Sequence, residues 1–403
     1  MIIKINNKRL RNTVVLFLVT FFEIIACLET DINVPSFPNM IDYFGINPAD
    51  IHWVVAINMV GICLASWVVG PLSDTIGRRK VLLFSGVFFL IGSIIAVNTT
   101  DFSILLLARF IQGIGCSSYF VICSAVIFDL YDKKQAVVIT GYLGSLITIF
   151  LAIAPIVGNY ININYGWRMN FILILFLAII AFFLSLFFME ESLADEKKAK
   201  WKFKRLFQDY YSIFSNLQGM KNLNIIGISL SVFITYIVNL SVIFVDNLHV
   251  SQESYGYHQG IIMFIFALCS LFTGKIVVRL GFKIVKAASH LLTTLGSSLL
   301  IIVALNFATD ANLITLSMIL FTIGYSFIMN LAFVEYMSCY PQNSGAASSL
   351  NTTYRLILNA IILVVVSMNY NGTILPVAIC IFIGSLVMLA LNMLPNSKES
   401  VTI

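Results

Sequence analysis

Twelve apolar runs, each close to the length needed to cross a bilayer, are separated by short polar breaks, a pattern that only a helical membrane protein satisfies. A transmembrane helix needs about 20 mostly apolar residues. Reading the runs between breaks predicts spans near 13–37, 51–73, 81–98, 102–128, 136–161 and 167–190, then 222–246, 257–279, 284–306, 312–336, 346–369 and 373–394. Of 403 residues, 59% are hydrophobic and only 11% charged, so a water-soluble fold would leave large apolar areas exposed and lipid must cover them. The order is six spans, a polar segment, six spans. It divides the chain into a bundle over 1–190, a basic cytoplasmic linker over 191–221 and a second bundle over 222–403.

Loop charge sets the orientation. Lys4, Lys8, Arg9 and Arg11, the breaks at 74–80, 129–135 and 279–286, the linker and Lys398 all fall on one side, whereas the breaks near 42–50, 99–101, 247–256 and 307–311 contain no Lys or Arg. The positive-inside rule places both termini in the cytoplasm, and an even number of spans demands that they share a side. Residues 1–28 have the outline of a secretory leader, but Glu23 interrupts the apolar stretch and no small-residue cleavage site follows, so the segment is expected as the first span. The linker carries Lys197, Lys198, Lys200, Lys202, Lys204, Arg205 and Lys221 with Trp201 and Phe203 interleaved, which suits a partly amphipathic segment on the anionic leaflet. The net charge of +5 therefore points to the lipid bilayer and not to nucleic acid, for which no soluble domain exists.

The chain carries no grammar of catalysis. Its seven cysteines form no C-x-x-C, its four histidines are scattered, and there is no Walker loop, G-x-S-x-G or H-E-x-x-H. The cysteines read as small packing residues. No enzyme, metal or cofactor is expected.

The most specific polar break is Gly70-Pro71-Leu72-Ser73-Asp74-Thr75-Ile76-Gly77-Arg78-Arg79-Lys80, between spans 2 and 3. A degraded copy, Gly274-Lys275-Ile276-Val277-Val278-Arg279-Leu280-Gly281-Phe282-Lys283, stands between spans 8 and 9, so the chain reads as one six-span unit written twice. Gly70 and Gly77 permit close helix contact and a tight turn where a Cβ would clash. Asp74 facing Arg78 and Arg79 can pair there or with a neighbouring helix end, forming a latch that one conformation makes and another breaks. The alternative is a positive anchor with an incidental acid.

The segment 70–80 resembles the signature loop between helices 2 and 3 of the major facilitator superfamily of transporters. Arg109-Phe110-Ile111-Gln112-Gly113-Ile114-Gly115 in span 4 is similar to that family's R-x-x-Q-G-x-G element, and Gly166-Trp167-Arg168 with Phe171 to its entry into helix 6. The resemblance implies an all-α membrane fold of two pseudo-symmetric six-helix bundles that rock around a central site. In span 1, Glu29-Thr30-Asp31-Ile32-Asn33-Val34-Pro35-Ser36-Phe37-Pro38 resembles the T-D-x-Y-L-P-x-x-P element of bicyclomycin-resistance-type drug/proton antiporters. The spacing of Glu23, Asp31 and Pro35 is similar to the first helix of MdfA-like multidrug exporters, where two acids serve drug and proton. Residues 136–160 resemble the antiporter motif of helix 5 at Gly141, Pro155 and Gly158, with Phe150, Ala154 and Asn159 in place of glycines.

A helix turns ~100° and rises about 1.5 Å per residue, so Asp31 lies about 80° around from Glu23 and about 12 Å further along. Cys27 and Thr30 share that sector, whereas Glu29 points away and is left out of the expected site. A charged acid at the centre of a span costs about 2.5–3.5 kcal/mol, and such acids mark ion or substrate pathways. Arg109 is the expected counter-ion of Asp31, and protonation of Asp31 would free it to repack; a static ion pair is the alternative. Glu23 is the expected substrate-cation contact and second protonation site. Arg355 in span 11 is expected to bind an anionic group or to pair with Glu335. Mid-span Asn58, Tyr119, Tyr236, Asn239, Asn330 and Asn359, with Met329, are further candidates for substrate contact. The resemblance implies a monomeric secondary transporter in a bacterial inner membrane, exporting lipophilic or cationic compounds against protons and needing only the proton gradient. The alternatives are proton-coupled transport of one metabolite, such as a siderophore or amino-acid derivative, and a non-transporting sensor of the same fold.

Overall fold

A computed structural model describes residues 8–47, 50–193, 203–241, 243–244, 248, 250–369 and 373–394. Among them there is no strand. The helices are α1 (Lys8–Asp31), α2 (Phe37–Phe44), α3 (Trp53–Ile76), α4 (Arg78–Asn98), α5 (Phe102–Leu130), α6 (Lys133–Tyr165), α7 (Arg168–Phe188), α8 (Phe203–Ser215), α9 (Leu217–Ser241), α10 (Gln252–Leu280), α11 (Phe282–Asn306), α12 (Ala311–Ser338), α13 (Ser344–Met368) and α14 (Leu375–Met393). Twelve helical segments are long and apolar enough to span a membrane, and they match the expected runs one for one, from Leu10–Phe44 to Leu375–Met393. In the linker, Lys197, Lys198, Lys200, Trp201 and Lys202 lie outside the described residues, as do Lys4 and Lys398.

The first span is not one continuous helix. α1 ends at Asp31, a short 3-10 turn covers Val34–Ser36, and α2 resumes at Phe37. Pro35 and Pro38 supply no backbone N–H, and each disfavours the helical conformation in the residue before it, so two prolines so close together end one helix and start another. Asp31 is thereby placed at a helix C-terminus and not within a turn of continuing helix.

The chain packs into two compact units. One comprises Met1–Tyr131, Phe150–Ser212 and Tyr340–Thr353, and the other Asp132–Ile149, Ile213–Cys339 and Tyr354–Ile403. In the first, α3 and α4 pack closely on α5, and a cluster of Phe37, Met40, Val54, Leu105, Trp167 and Phe171 closes the end opposite the 70–80 loop. In the second, α11 and α12 pack closely, and Phe233, Phe266, Phe321 and Tyr325 stack at the heart of the core. The two hinge copies make the same turn: Gly77 between α3 and α4 has φ +102°, and Gly281 between α10 and α11 has φ +88°, values that a side chain disfavours.

Candidate functional site

α1 and α5 run antiparallel, and their contact places the first span's acids. Phe22 stacks on Tyr119 with ring centroids 5.1 Å apart, Glu23 is close enough to Cys123 for its charge to be felt there, and Glu29 meets Arg109. Glu29 is fully buried, and its Oε1 accepts from Arg109 Nη1 and, at 3.0 Å, from the Asn58 side-chain amide. The same amide donates to the Arg109 carbonyl at 3.1 Å, tying α3 to both. Arg109 Nε donates to the Val54 carbonyl at 3.1 Å, Nη1 to Gln112 Oε1 at 3.0 Å and Nη2 to the Glu29 carbonyl at 3.4 Å. Gln112 passes the network on to Ser93 of α4 at 3.0 Å. The guanidinium thus meets a carboxylate and a last-turn carbonyl of α1, where the helix dipole favours a cation.

This arrangement corrects the expected pairing. The carboxylate bonded to Arg109 belongs to Glu29; Asp31 is half-buried and makes no ion pair among the described residues, although the Arg109 charge reaches it. Helix angles group residues into faces but do not say which neighbour meets which face. α3 and α5 cover the side that carries Glu29. Glu23 and Cys27 are buried on α1 as well.

The other candidates divide between packing and polar contact. Tyr119 is enclosed by Phe22 and Phe89, and Tyr236 lies in the apolar core of the second unit. Asn239 is half-buried and donates to Thr235 on its own helix at 2.8 Å. Asn330 is buried and donates to Ser270 Oγ at 3.1 Å, joining α12 to α10. Glu335 pairs with Lys286 at 2.6 Å, so the expected partnership with Arg355 is replaced. Depth explains the change. Glu335 lies less than a turn from the end of α12, while Arg355 is about 16 Å into α13. Arg355 is half-buried, with its charge felt at Tyr325.

At the basic end, the 70–80 segment is a buried network. Asp74 accepts from the backbone N–H of Gly345 at 3.0 Å and of Ala346 at 2.9 Å, so it caps the start of α13, and it pairs with Arg78 at 2.7 Å. Arg78 is fully buried; its Nε bonds Asp129 at 2.9 Å, its Nη2 bonds Ser344 Oγ at 2.7 Å and its backbone N–H bonds Glu191 at 2.8 Å. Ser344 in turn donates to Asp129 at 3.2 Å. Arg79 donates to the Leu186 carbonyl of α7 at 2.7 Å. Gly70 permits the approach, because a Cβ there would lie 2.0 Å from the Gly345 carbonyl oxygen. Asp129, Glu191, Ser344 and Gly345 were not expected members. Ser-Gly opening an apolar run is a helix-start signal, and Asp129 is an acid at the end of span 4 beside a basic break, but neither names its partner.

A second contact at this end follows from Pro71, which lies inside α3 and supplies no N–H. The carbonyl four residues back, Trp67, accepts instead from the Tyr210 hydroxyl of α8 at 2.6 Å, and the Trp67 and Tyr210 rings meet edge to face at 4.9 Å. Burial pushes the Tyr210 hydroxyl's ionisation up, so it stays a donor. The neighbouring Asp209 accepts from Asn343, just before α13, at 3.3 Å. The copy at 274–283 keeps the close approach and loses the acid and the arginine that pair in the first. A Cβ on Gly274 would lie 2.5 Å from Val138 of α6, but Val278 stands where Asp74 does and is 72% exposed, and Phe282 stands where Arg78 does, with Lys133 Nζ 5.5 Å above its ring.

Twelve spanning helices among the described residues, a buried acid–arginine core and a buried charged network at the basic end mark a helical membrane protein. The chain belongs to the Major Facilitator Superfamily, whose sequence pattern matches residues 19–363. It is 22% identical over 336 residues to the multidrug resistance protein MdtL of Citrobacter koseri, covering 83% of this chain and 84% of that protein. It is 25% identical over 354 residues to the chloramphenicol resistance protein CraA of Acinetobacter baumannii, covering 85% and 84%. Its fold superposes on the human organic anion transporter MFSD10 with TM-score 0.73 and 14% identity, covering 94% of this chain and 98% of that one. On the proton:xylose symporter XylE the TM-score is 0.72 at 14% identity, with 96% and 97% covered.

Proposed function

We propose that this protein exports lipophilic and cationic drugs in exchange for protons, by alternating access, as a monomer in a bacterial inner membrane. The observation that carries the reading is the first span, in which Glu23, Glu29 and Asp31 lie within about 12 Å along one helix beside Arg109. Acids so placed are expensive in a bilayer and suit the uptake and release of protons and cations. The relatives named for multidrug and chloramphenicol resistance support the drug-export side of the reading. In this scheme Glu23 and Asp31 are the protonation and substrate sites, and Arg109 answers to the charge state of the acids. Asp74, Arg78 and Asp129 hold the cytoplasmic latch with Gly70, Gly77 and Arg79, and the six-span halves over 1–190 and 222–403, joined by the linker, rock about the site. The proton gradient is the energy source, and a potential of 100 mV alone contributes about 2.3 kcal/mol per charge.

The test is uptake of ethidium and of chloramphenicol into inverted-topology proteoliposomes under an imposed pH gradient. Wild type should accumulate one or both only when the gradient is present. E23Q should lose the cation selectively, and D31N should lose coupling for both. Accumulation that ignores the gradient, or that D31N leaves intact, would overturn the proposal.

A further inference from the structure

Glu29 is built unlike a static ion-pair partner. Its Oε1 carries both bonds, from Arg109 and Asn58, while Oε2 is buried with no hydrogen-bond partner. A fully buried carboxylate with one satisfied oxygen keeps its charge only through Arg109. Arg109 has other acceptors, the Val54 and Glu29 carbonyls and Gln112, so its guanidinium stays solvated by the protein when Glu29 becomes neutral. Asp31 stands two residues further along, at the end of α1, where the helix dipole disfavours an anion without a cation nearby.

We propose that Glu29 is a proton-binding residue of the transport cycle, and that Glu29 and Asp31 exchange Arg109 as their shared cation. In the arrangement described here Glu29 is the anion and Asp31 lacks an ion-pair partner. A proton added at Glu29 Oε2 forms the neutral acid, the Arg109–Glu29 ion pair breaks, and Arg109, still charged, turns to Asp31, which gives up its own proton. One proton enters the trio and one leaves, so its charge is unchanged. The other groups facing Glu29 do not take this role. On α5 there are the thiol of Cys116 and the uncharged Gln112, which shares Arg109, and on α3 the uncharged Asn58.

The inference rests on the proton-coupled reading above, but its test does not need transport. Purified protein is acidified and the infrared carbonyl-stretch band of newly protonated carboxyl groups is recorded for wild type, E23Q, D31N and E29Q. The expected result is a band that survives in E23Q and D31N and is lost in E29Q. E23Q protein made with carboxyl-13C glutamate assigns the E29Q-sensitive band to a glutamate without touching Glu29, since that band must shift with the isotope. A band that persists in E29Q, or that the label does not shift, overturns the proposal. In proteoliposomes, E29Q should flatten the pH profile of ethidium or chloramphenicol uptake and E29D restore its slope; an E29Q profile that superposes on wild type also overturns it. If wild type moves neither probe, the drug-export reading fails while the infrared result still decides Glu29.

Discussion

Tyr210→Phe removes one oxygen and keeps the ring, which makes it a clean probe of how the linker helix is held. The hydroxyl is the donor to the Trp67 carbonyl at 2.6 Å, and Pro71 removes the N–H that would otherwise serve that carbonyl. Losing the bond forfeits about 1 kcal/mol net, and leaving a half-buried carbonyl unsatisfied brings the total to about 1–3 kcal/mol. The edge-to-face contact with Trp67 at 4.9 Å survives. Pro71→Ala supplies the missing N–H, so in that background the same substitution should cost less by at least ~1 kcal/mol, a coupling that a double-mutant cycle isolates. Unfolding in mixed micelles titrated with dodecyl sulfate measures all four proteins. The pH dependence has a defined sign. Burial raises the hydroxyl's ionisation above its ordinary value, so wild-type stability should fall once the unfolded tyrosine ionises above about pH 10, and Y210F should lose that part of the decline. An equal cost of Y210F in both backgrounds would refute the role assigned to Pro71.

Asp74→Asn withdraws the charge opposite Arg78 and weakens the cap on α13; it should cost about 2–3 kcal/mol and raise the labelling rate of a cysteine placed at Ser349 by a water-soluble maleimide. Gly70→Ala drives a methyl group to 2.0 Å from the Gly345 carbonyl, so it should cost about 1–3 kcal/mol or more and speed the same labelling, whereas Gly274→Ala brings the methyl 2.5 Å from Val138 Cγ2 and 2.8 Å from its Cα, less close than at Gly70, and should be milder. Burial, and then the Glu335 charge, push the Cys339 thiol up to about 11 from 9.0, which leaves about 100-fold less thiolate; greater intrinsic reactivity offsets about tenfold of that, so alkylation should run about tenfold slower than for an ordinary thiol. E335Q should accelerate it in a protein whose other cysteines are replaced, and an unchanged rate would remove Glu335 as a cause.

The features that were legible in the sequence are the ones local physics determines. Each span is an apolar run whose length the bilayer sets, and Gly77 and Gly281 mark turns because their backbone needs positive φ. What was not legible depends on partners far along the chain. Asp74 could be read as a latch, but nothing near it names Gly345 or Asp129, and a proline's orphaned carbonyl at Trp67 does not announce Tyr210. The acids of span 1 were found by type and spacing, yet the angular argument discarded Glu29, because periodicity groups residues into faces and is silent on which neighbour each face meets.

That omission carries a general consequence for the mechanism. Two prolines stop α1 at Asp31, so this acid sits at the negative end of a helix dipole, and the cation nearest that end is held by Glu29. Two acids two residues apart beside one arginine repel one another when both are ionised. In the proposed exchange, the one that is neutral is set by where Arg109 points. Among the described residues no hydrogen bond or ion pair joins the 70–80 network to this trio, and α3 and α5 carry members of both, Asn58 and Arg109 at one end and Asp74 and Asp129 at the other. The counterpart turn at Gly281 has kept its glycine and lost its acid, so the Asp74–Arg78 pair has no equivalent there.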